Sequence, residues 1–408
     1  MAFSNKHYDV ILVNPPAEYV IEEYDHPDYP NISIAYIGNY LEKNGGITPA
    51  LIDARLARLS FVETVDQIVS LNPSIVGITS FTHSIPMAAR IAQELKQKLN
   101  DIVVVLGGFH TTFLPERTLH EYPVFDYLVA GEGEVAFLKL IESILAGNPC
   151  ETMNGVWYNK FGKIVNNNPK ADILRDIDEI GEPGWHLFDQ DVIKKFCRYL
   201  PVITQRGCPF QCNFCSRPYG NKVRKRNNLL VVDEIERNVN QYNVKHIDFY
   251  DETFSANKKA TKQLCSEIIN RGINVSWCCT THVNTLDNEI VHLMKKAGCV
   301  EVRFGVESGN TEIINQMKKG ITKKKILEAH ELFKEAKITT TAFFILGHPN
   351  ESLKSLWDTV KFAIRINADK TAIGIMVPYP GSEIWNMVNE GRGGIKISRQ
   401  NGAIIISN

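Results

Sequence analysis

Five short runs near the start of the chain, "YDVILVN" (8–14), "ITPALID" (47–53), "PSIVGITS" (73–80), "DIVVVLGG" (101–108) and "FDYLVAG" (125–131), are apolar at most positions. A strand with one wet face alternates apolar and polar residues, so runs like these imply burial on both faces, in a parallel sheet covered by helices. The intervening segments supply those helices. "ISIAYIGNYLEKNG", "FVETVDQIVSLN", "SIPMAARIAQELKQKLN" and "EVAFLKLIESILAG" repeat apolar residues at helical spacing. The pattern predicts a flavodoxin-like, doubly wound α/β domain over about residues 6–147, within a first domain bounded at 1–147.

In that architecture ligands sit outside the carboxyl ends of the strands. The loops there are "NPP", "SFTHS", "GGFHTT" and "GEGE". Glycine lets backbone approach a ligand closely, which makes Gly107, Gly108 and Gly131 candidates together with Glu132. Ser80, Thr82, Thr111 and Thr112 add hydroxyls. A plain turn explains any one such loop; four at one end of one sheet point to a ligand.

Residues 148–199 read as a hairpin, "NGVWYNKFGKIVNNN", followed by a Pro- and Asp-rich linker in which Trp157 and Trp185 pack. From about 200 to 385 the alternation resumes. "LPVITQ", "HIDFYD", "NVSWCCT", "VEVRFGVES", "TTTAFFILG" and "TAIGIMVP" are strands separated by amphipathic helices, a partial (β/α)6 barrel. Residues 386–408 form a short tail, too short for another domain.

Within the loop after the first of these strands, "QRGCPFQCNFCSRPYG" places Cys208, Cys212 and Cys215 at C-x3-C-x2-C spacing. A structural zinc site takes four protein ligands, commonly from two separated pairs. Cys278 and Cys279 do not supply a second pair, because neighbours on a strand point to opposite faces. A redox dithiol would not need Cys208. Three thiolates fit a 4Fe-4S cluster with one iron open to a non-protein ligand.

With this triplet the chain resembles the radical S-adenosylmethionine (SAM) superfamily, through about residues 200–380. The resemblance implies that the open iron takes the amino and carboxylate groups of SAM, whose reductive cleavage gives a 5′-deoxyadenosyl radical. It implies Phe214 beside the adenine, and Asp251 and Glu252 of "YDETF" near the methionine amino group. It places Glu307 and Ser308 of "GVESG" near ribose or methionine, and Gly347 of "FILGHPNES" near adenine. The first half in turn resembles the cobalamin-binding domain of one branch of that superfamily, through "PNISIAYIGNYLEKNG", "VGITSFTHS", "VVVLGGFHTTFLPE" and "YLVAGEGE". The D-x-H-x-x-G motif that gives cobalt a histidine is missing, as it commonly is in that branch, so His26, His83 and His110 are not assigned to the metal.

The resemblance implies two cofactors serving one reaction, radical methylation of an unactivated carbon in a small-molecule substrate. A cobalamin-dependent oxidative cyclase is the alternative enzyme. A truncated relative that binds cofactors without complete turnover, implied by the short tail where the family usually continues, is the alternative of another class. Methylthiotransferases share the barrel but carry N-terminal cysteines, whereas the first here is Cys150. An external electron donor such as a flavodoxin or ferredoxin is implied.

A formal charge of −1 gives no electrostatic case for nucleic acid. No run of about 18 apolar residues suggests a membrane span, and the scattered remaining cysteines suggest a reducing cytoplasm. The basic run "NKVRKRNN" (221–228) reads as a solvated turn, with Arg224 or Arg226 alternatively meeting an anionic substrate.

Overall fold

In the computed structural model the chain forms two units, residues 1–201 and 202–408. The structure describes residues 8–17, 26–148, 153–392, 396–400 and 403–407. Cys150 and parts of the 386–408 tail lie outside the described residues.

The first unit is built on strands β1 (Val10–Asn14), β2 (Ala50–Asp53), β3 (Ile75–Thr79), β4 (Val103–Gly107) and β5 (Tyr127–Val129), all paired in parallel. Their order, 2-1-3-4-5, is that of a flavodoxin-like sheet. β1 and β2 are buried at every position, as their apolar runs require. Helix Ile85–Lys98 packs a stripe of Ile85, Ala88, Ile91, Ala92 and Leu95 into the core against Val76, Ile78 and Val104. Helix Phe61–Leu71 begins at a capping box in which Ser60 and Glu63 satisfy each other's backbone amides. The hairpin of β6 (Val156–Lys160) and β7 (Lys163–Asn166) adds two antiparallel strands beyond β5. Its turn residues Phe161 and Gly162 both have positive φ, 54° and 79°, which matches a hairpin's twist. Trp157 and Trp185 are buried.

The chain enters the second sheet through β8 (Leu200–Val202). A two-stranded ladder of β9 (Gln205–Arg206) and β10 (Arg224–Lys225) follows. Strands β11 (His246–Phe249), β12 (Ser276–Thr281), β13 (Cys299–Glu307), β14 (Thr339–Leu346) and β15 (Lys370–Ile375) then join β8 in sequence order. Successive right-handed crossovers in one direction put every connecting helix on the same face. The contacts agree: Phe304 stacks on Phe333 of helix Lys323–Glu335, and Trp277 donates to Ala297 O beyond helix Asn288–Lys296. Residues one position away, including Asp248, Cys278 and Arg303, therefore occupy the opposite, inner face. Further on, β16 (Lys396–Gln400) pairs antiparallel with β17 (Ala403–Ser407). No helix among the described residues is long and apolar enough to cross a membrane.

Candidate functional site

Cys208, Cys212 and Cys215 lie on one loop pinned at both ends. β9 and β10 pair across its base, and Cys208 N donates to Gly220 O at 3.2 Å. Gly207 makes this possible: its φ is +93°, and a Cβ there would stand 2.4 Å from Lys222 O. Asn213, between two of the cysteines, is buried and ties the loop's middle to the barrel. Its amide nitrogen donates to Met317 O at 3.0 Å, and its side chain to Gln316 O at 2.8 Å. All three cysteines keep some exposure. Burial pushes the Cys212 thiol up to about 11 and the Cys215 thiol in the same direction, so each needs a cationic partner to rest as thiolate.

Three thiols on one loop suit a cluster of several irons. Among the described residues, no three His, Cys, Asp or Glu side chains gather around one point as a single ion would require. Cluster thiolates bind separate irons and need no such point.

The expected cofactor contacts divide into two groups. Asp251 is spent on the scaffold: its carboxylate accepts Thr204 N at 2.7 Å, Thr204 Oγ1 at 2.5 Å and Gln205 N at 3.1 Å. It holds the strand leading into the cysteine loop, a scaffold role the sequence did not show. Ser308 is likewise fully buried, joined to Thr359 Oγ1 at 3.0 Å and to Asn310 N at 3.1 Å. Glu252 differs. It takes the Gly207 amide near Cys215, and its Oε2 is buried without a partner. Burial pushes its carboxyl up to about 7, so an incoming ammonium would find an acceptor not already committed.

Glu307 ends β13 with φ of +66°, a conformation only surrounding structure can enforce on a non-glycine residue. That structure is Lys319, whose Nζ donates to Glu307 Oε1 at 2.5 Å with both side chains about nine-tenths buried. Burial opposes the Lys319 charge, but Glu307 prevails and holds the ammonium form, with the Cys212 side adding to it. Phe214 packs against Ile313, Met317 and Met376, with Lys319 Nζ 5.9 Å from its ring centre. Gly347 is exposed at φ +88° and donates to Glu351 Oε2 at 2.6 Å. Lys319, Asn213 and His282, which stacks on Phe210 with centroids 3.5 Å apart, carry no signal in the sequence that sets them apart.

The basic run after the loop is divided: Lys222 and Lys225 are exposed, as a solvated turn requires, while its two arginines turn inward. Arg224 and Arg226 are buried, and Arg226 Nη1 pairs with Glu234 Oε2 at 2.7 Å and with Ile203 O at 3.0 Å. This corrects both readings of Arg226.

At the carboxyl end of the first sheet the hydroxyls turn inward. Ser80 donates to Gly107 O, Thr111 to Gly108 O and Val129 O, and Thr112 to Gly108 O while accepting from Gly131 N. They bind the loops to one another. Glu132 is buried at the head of helix Gly133–Leu145. Thr82 is exposed and pairs with His110 Nδ1 at 3.1 Å; burial lowers His110 to about 4, so the ring is neutral. Gly108 is required by crowding: at φ +115° its Cβ would lie 2.4 Å from Ser80 O. Gly108→Ala is expected to cost about 1–3 kcal/mol of stability, read by thermal melting. Gly107 is not required in that way, since a Cβ there would meet nothing closer than Val129 O at 4.0 Å. Space left open over bare backbone suits close approach of a large ligand. Beside it stand two exposed aromatics, Phe81 and Phe109, edge to face at 5.4 Å. A broad, partly apolar cofactor fits these residues.

Comparison with known proteins agrees on both halves. Residues 24–141 match the B12 binding domain and residues 202–363 the radical SAM superfamily. An uncharacterized methyltransferase of Pyrococcus horikoshii is 32% identical over 92% of this chain and 82% of its own length. The chain belongs to the cobalamin-binding radical SAM enzymes. Another similar member, the anaerobic magnesium-protoporphyrin IX monomethyl ester cyclase of Rubrivivax gelatinosus, is 32% identical over 89% of this chain and 67% of its own. The radical SAM methyltransferase TsrM of Kitasatospora setae, solved with cobalamin and a [4Fe-4S] cluster, shares the fold with a TM-score of 0.81. That match has 19% identity and covers 97% of this chain and 82% of TsrM. The cofactors of the family are therefore a 4Fe-4S cluster, SAM and cobalamin.

Proposed function

We propose that this radical SAM enzyme methylates an unactivated carbon of a small-molecule substrate, with Cys208, Cys212 and Cys215 as the cluster ligands. The observation that carries the reading is the pinned loop with three thiols and no fourth, beside two carboxylates held ready by the fold. Glu252 would accept the SAM amino group through its unpartnered oxygen. Glu307, fixed by Lys319, would face the same molecule, and Phe214 would lie against the adenine. Gly107, Gly131, Phe81 and Phe109 would line the cobalamin site, with no histidine assigned to the metal. Once bound, the cofactors supply a carbon-centred radical and a methyl donor; the chain's part is to position them and keep water out. A one-electron donor such as a flavodoxin or ferredoxin would serve the cluster.

Methyl transfer is supported by the similarity to the Pyrococcus methyltransferase, but the Rubrivivax cyclase shares the same 32% identity over somewhat less of each chain. Oxidative cyclisation is therefore the second reading. The two separate on incubation of anaerobically reconstituted protein with SAM carrying a deuterated methyl group and a reductant. Mass spectrometry of the bound corrinoid gains the label under the first reading. An unlabelled corrinoid alongside continued deoxyadenosine formation rejects methyl transfer in favour of the second.

A further inference from the structure

TIM-type barrels usually fill their interior with branched apolar side chains. The inner face of this second sheet carries charge instead. Arg303 on β13 donates from Nη2 to Asp248 on β11 and, at 3.2 Å, to Cys278 Sγ on β12. His246 extends the row, reaching Cys278 Sγ with Nε2 at 3.4 Å and Ser276 Oγ with Nδ1 at 2.9 Å. Glu301, two residues before Arg303, accepts Thr341 Oγ1 and Lys370 Nζ, each at 2.7 Å. Within this row Arg303 Nε is buried and has no hydrogen-bond partner.

A guanidinium is a planar fork with five donors, and Asp248 occupies one side of it. A donor left unpaired in the interior needs an acceptor that the chain does not provide. The imbalance is local to Arg303, whose side chain stays 25% exposed while Asp248 is 5% exposed. A pair serving stability alone would be closed off, whereas this arginine keeps both an open edge and an unused donor.

The geometry points to Arg303 as the residue that recognises an oxyanion of the organic substrate, a carboxylate or a phosphoryl group. This assignment rests on the reading above that a small molecule reacts within the barrel, and it adds the substrate's chemical class. Cys278 and His246 flank the guanidinium and would border the same group.

Inorganic phosphate is a sufficient probe. Isothermal titration of the anaerobically reconstituted protein should give a saturable phosphate site. Arg303→Leu should weaken it about tenfold or more, as loss of a charge-assisted hydrogen bond implies. Asp248→Asn should tighten it, because the guanidinium remains and the carboxylate competing for it is gone. A structural ion pair would respond the other way, with both variants losing whatever binding there was. No saturable site in the unaltered protein, an affinity indifferent to Arg303→Leu, or weaker binding by Asp248→Asn overturns the assignment. The titration needs no turnover. Arg303-dependent phosphate binding without deoxyadenosine formation keeps this inference and defeats the proposed reaction; deoxyadenosine formation without such binding does the reverse.

Discussion

Serine in place of any one of Cys208, Cys212 and Cys215 is expected to remove the cluster's absorbance near 400 nm (about the usual position for iron–sulfur charge transfer) and reduce deoxyadenosine formation to background. The three residues sit on a loop with no spare thiol, so a hydroxyl at one position leaves an iron without its ligand. Stability should change little, because the loop is pinned by Asn213, Gly207 and the β9–β10 ladder and not by its sulfurs. The same substitution at Cys265, a buried residue of helix Lys258–Asn270, should leave the cluster in place. Iron analysis, absorbance and product chromatography on the four variants check this. A full complement of iron in a triplet variant would contradict the assignment.

Lys319→Met is expected to be the most damaging single change outside the cysteines. It leaves Glu307 buried with no counter-charge, and breaking a buried pair from one side costs about 3–5 kcal/mol. Gly305 shows how closely the pair is fitted, since a Cβ there would fall 2.3 Å from Lys319 Nζ. The double change Lys319→Met with Glu307→Gln should recover much of the lost stability, because neither residue then carries an unpaired charge. SAM binding should stay weak in the double variant, since the carboxylate proposed to face it is gone. Chemical denaturation and equilibrium dialysis with SAM separate the two effects. A double variant as unstable as the single one would argue that Lys319 acts by some means other than balancing Glu307.

The sequence was most readable where one physical signal dominated. Strands buried on both faces announce themselves by unbroken apolar runs, so the doubly wound character of the first sheet was readable from them, whereas its 2-1-3-4-5 order came from the fold. The cysteine loop was readable because few structures need three thiols so close together. Polar residues were harder, since composition does not tell which way a side chain turns. Ser80, Thr111 and Thr112 look like ligand contacts, yet their hydroxyls close backbone turns. Arg226 belongs to a basic run that suggests a wet surface, but it is buried against Glu234, eight residues away on a helix that returns over it. Lys319, in "MKKG", has the look of a solvated lysine, and only the fold brings it to Glu307. Phe81 and Phe109 sit among small and polar loop residues that drew attention for their backbone, while their rings stayed exposed.

The central claim is that one iron of a three-cysteine cluster is kept for SAM. Electron paramagnetic resonance of the reduced, reconstituted protein tests it most directly. Adding SAM should alter the cluster's signal, and on warming the signal should fade as the reduced cluster gives up its electron and deoxyadenosine accumulates. A reduced cluster whose signal is indifferent to SAM would mean that the fourth position is not open to it, and would contradict the account.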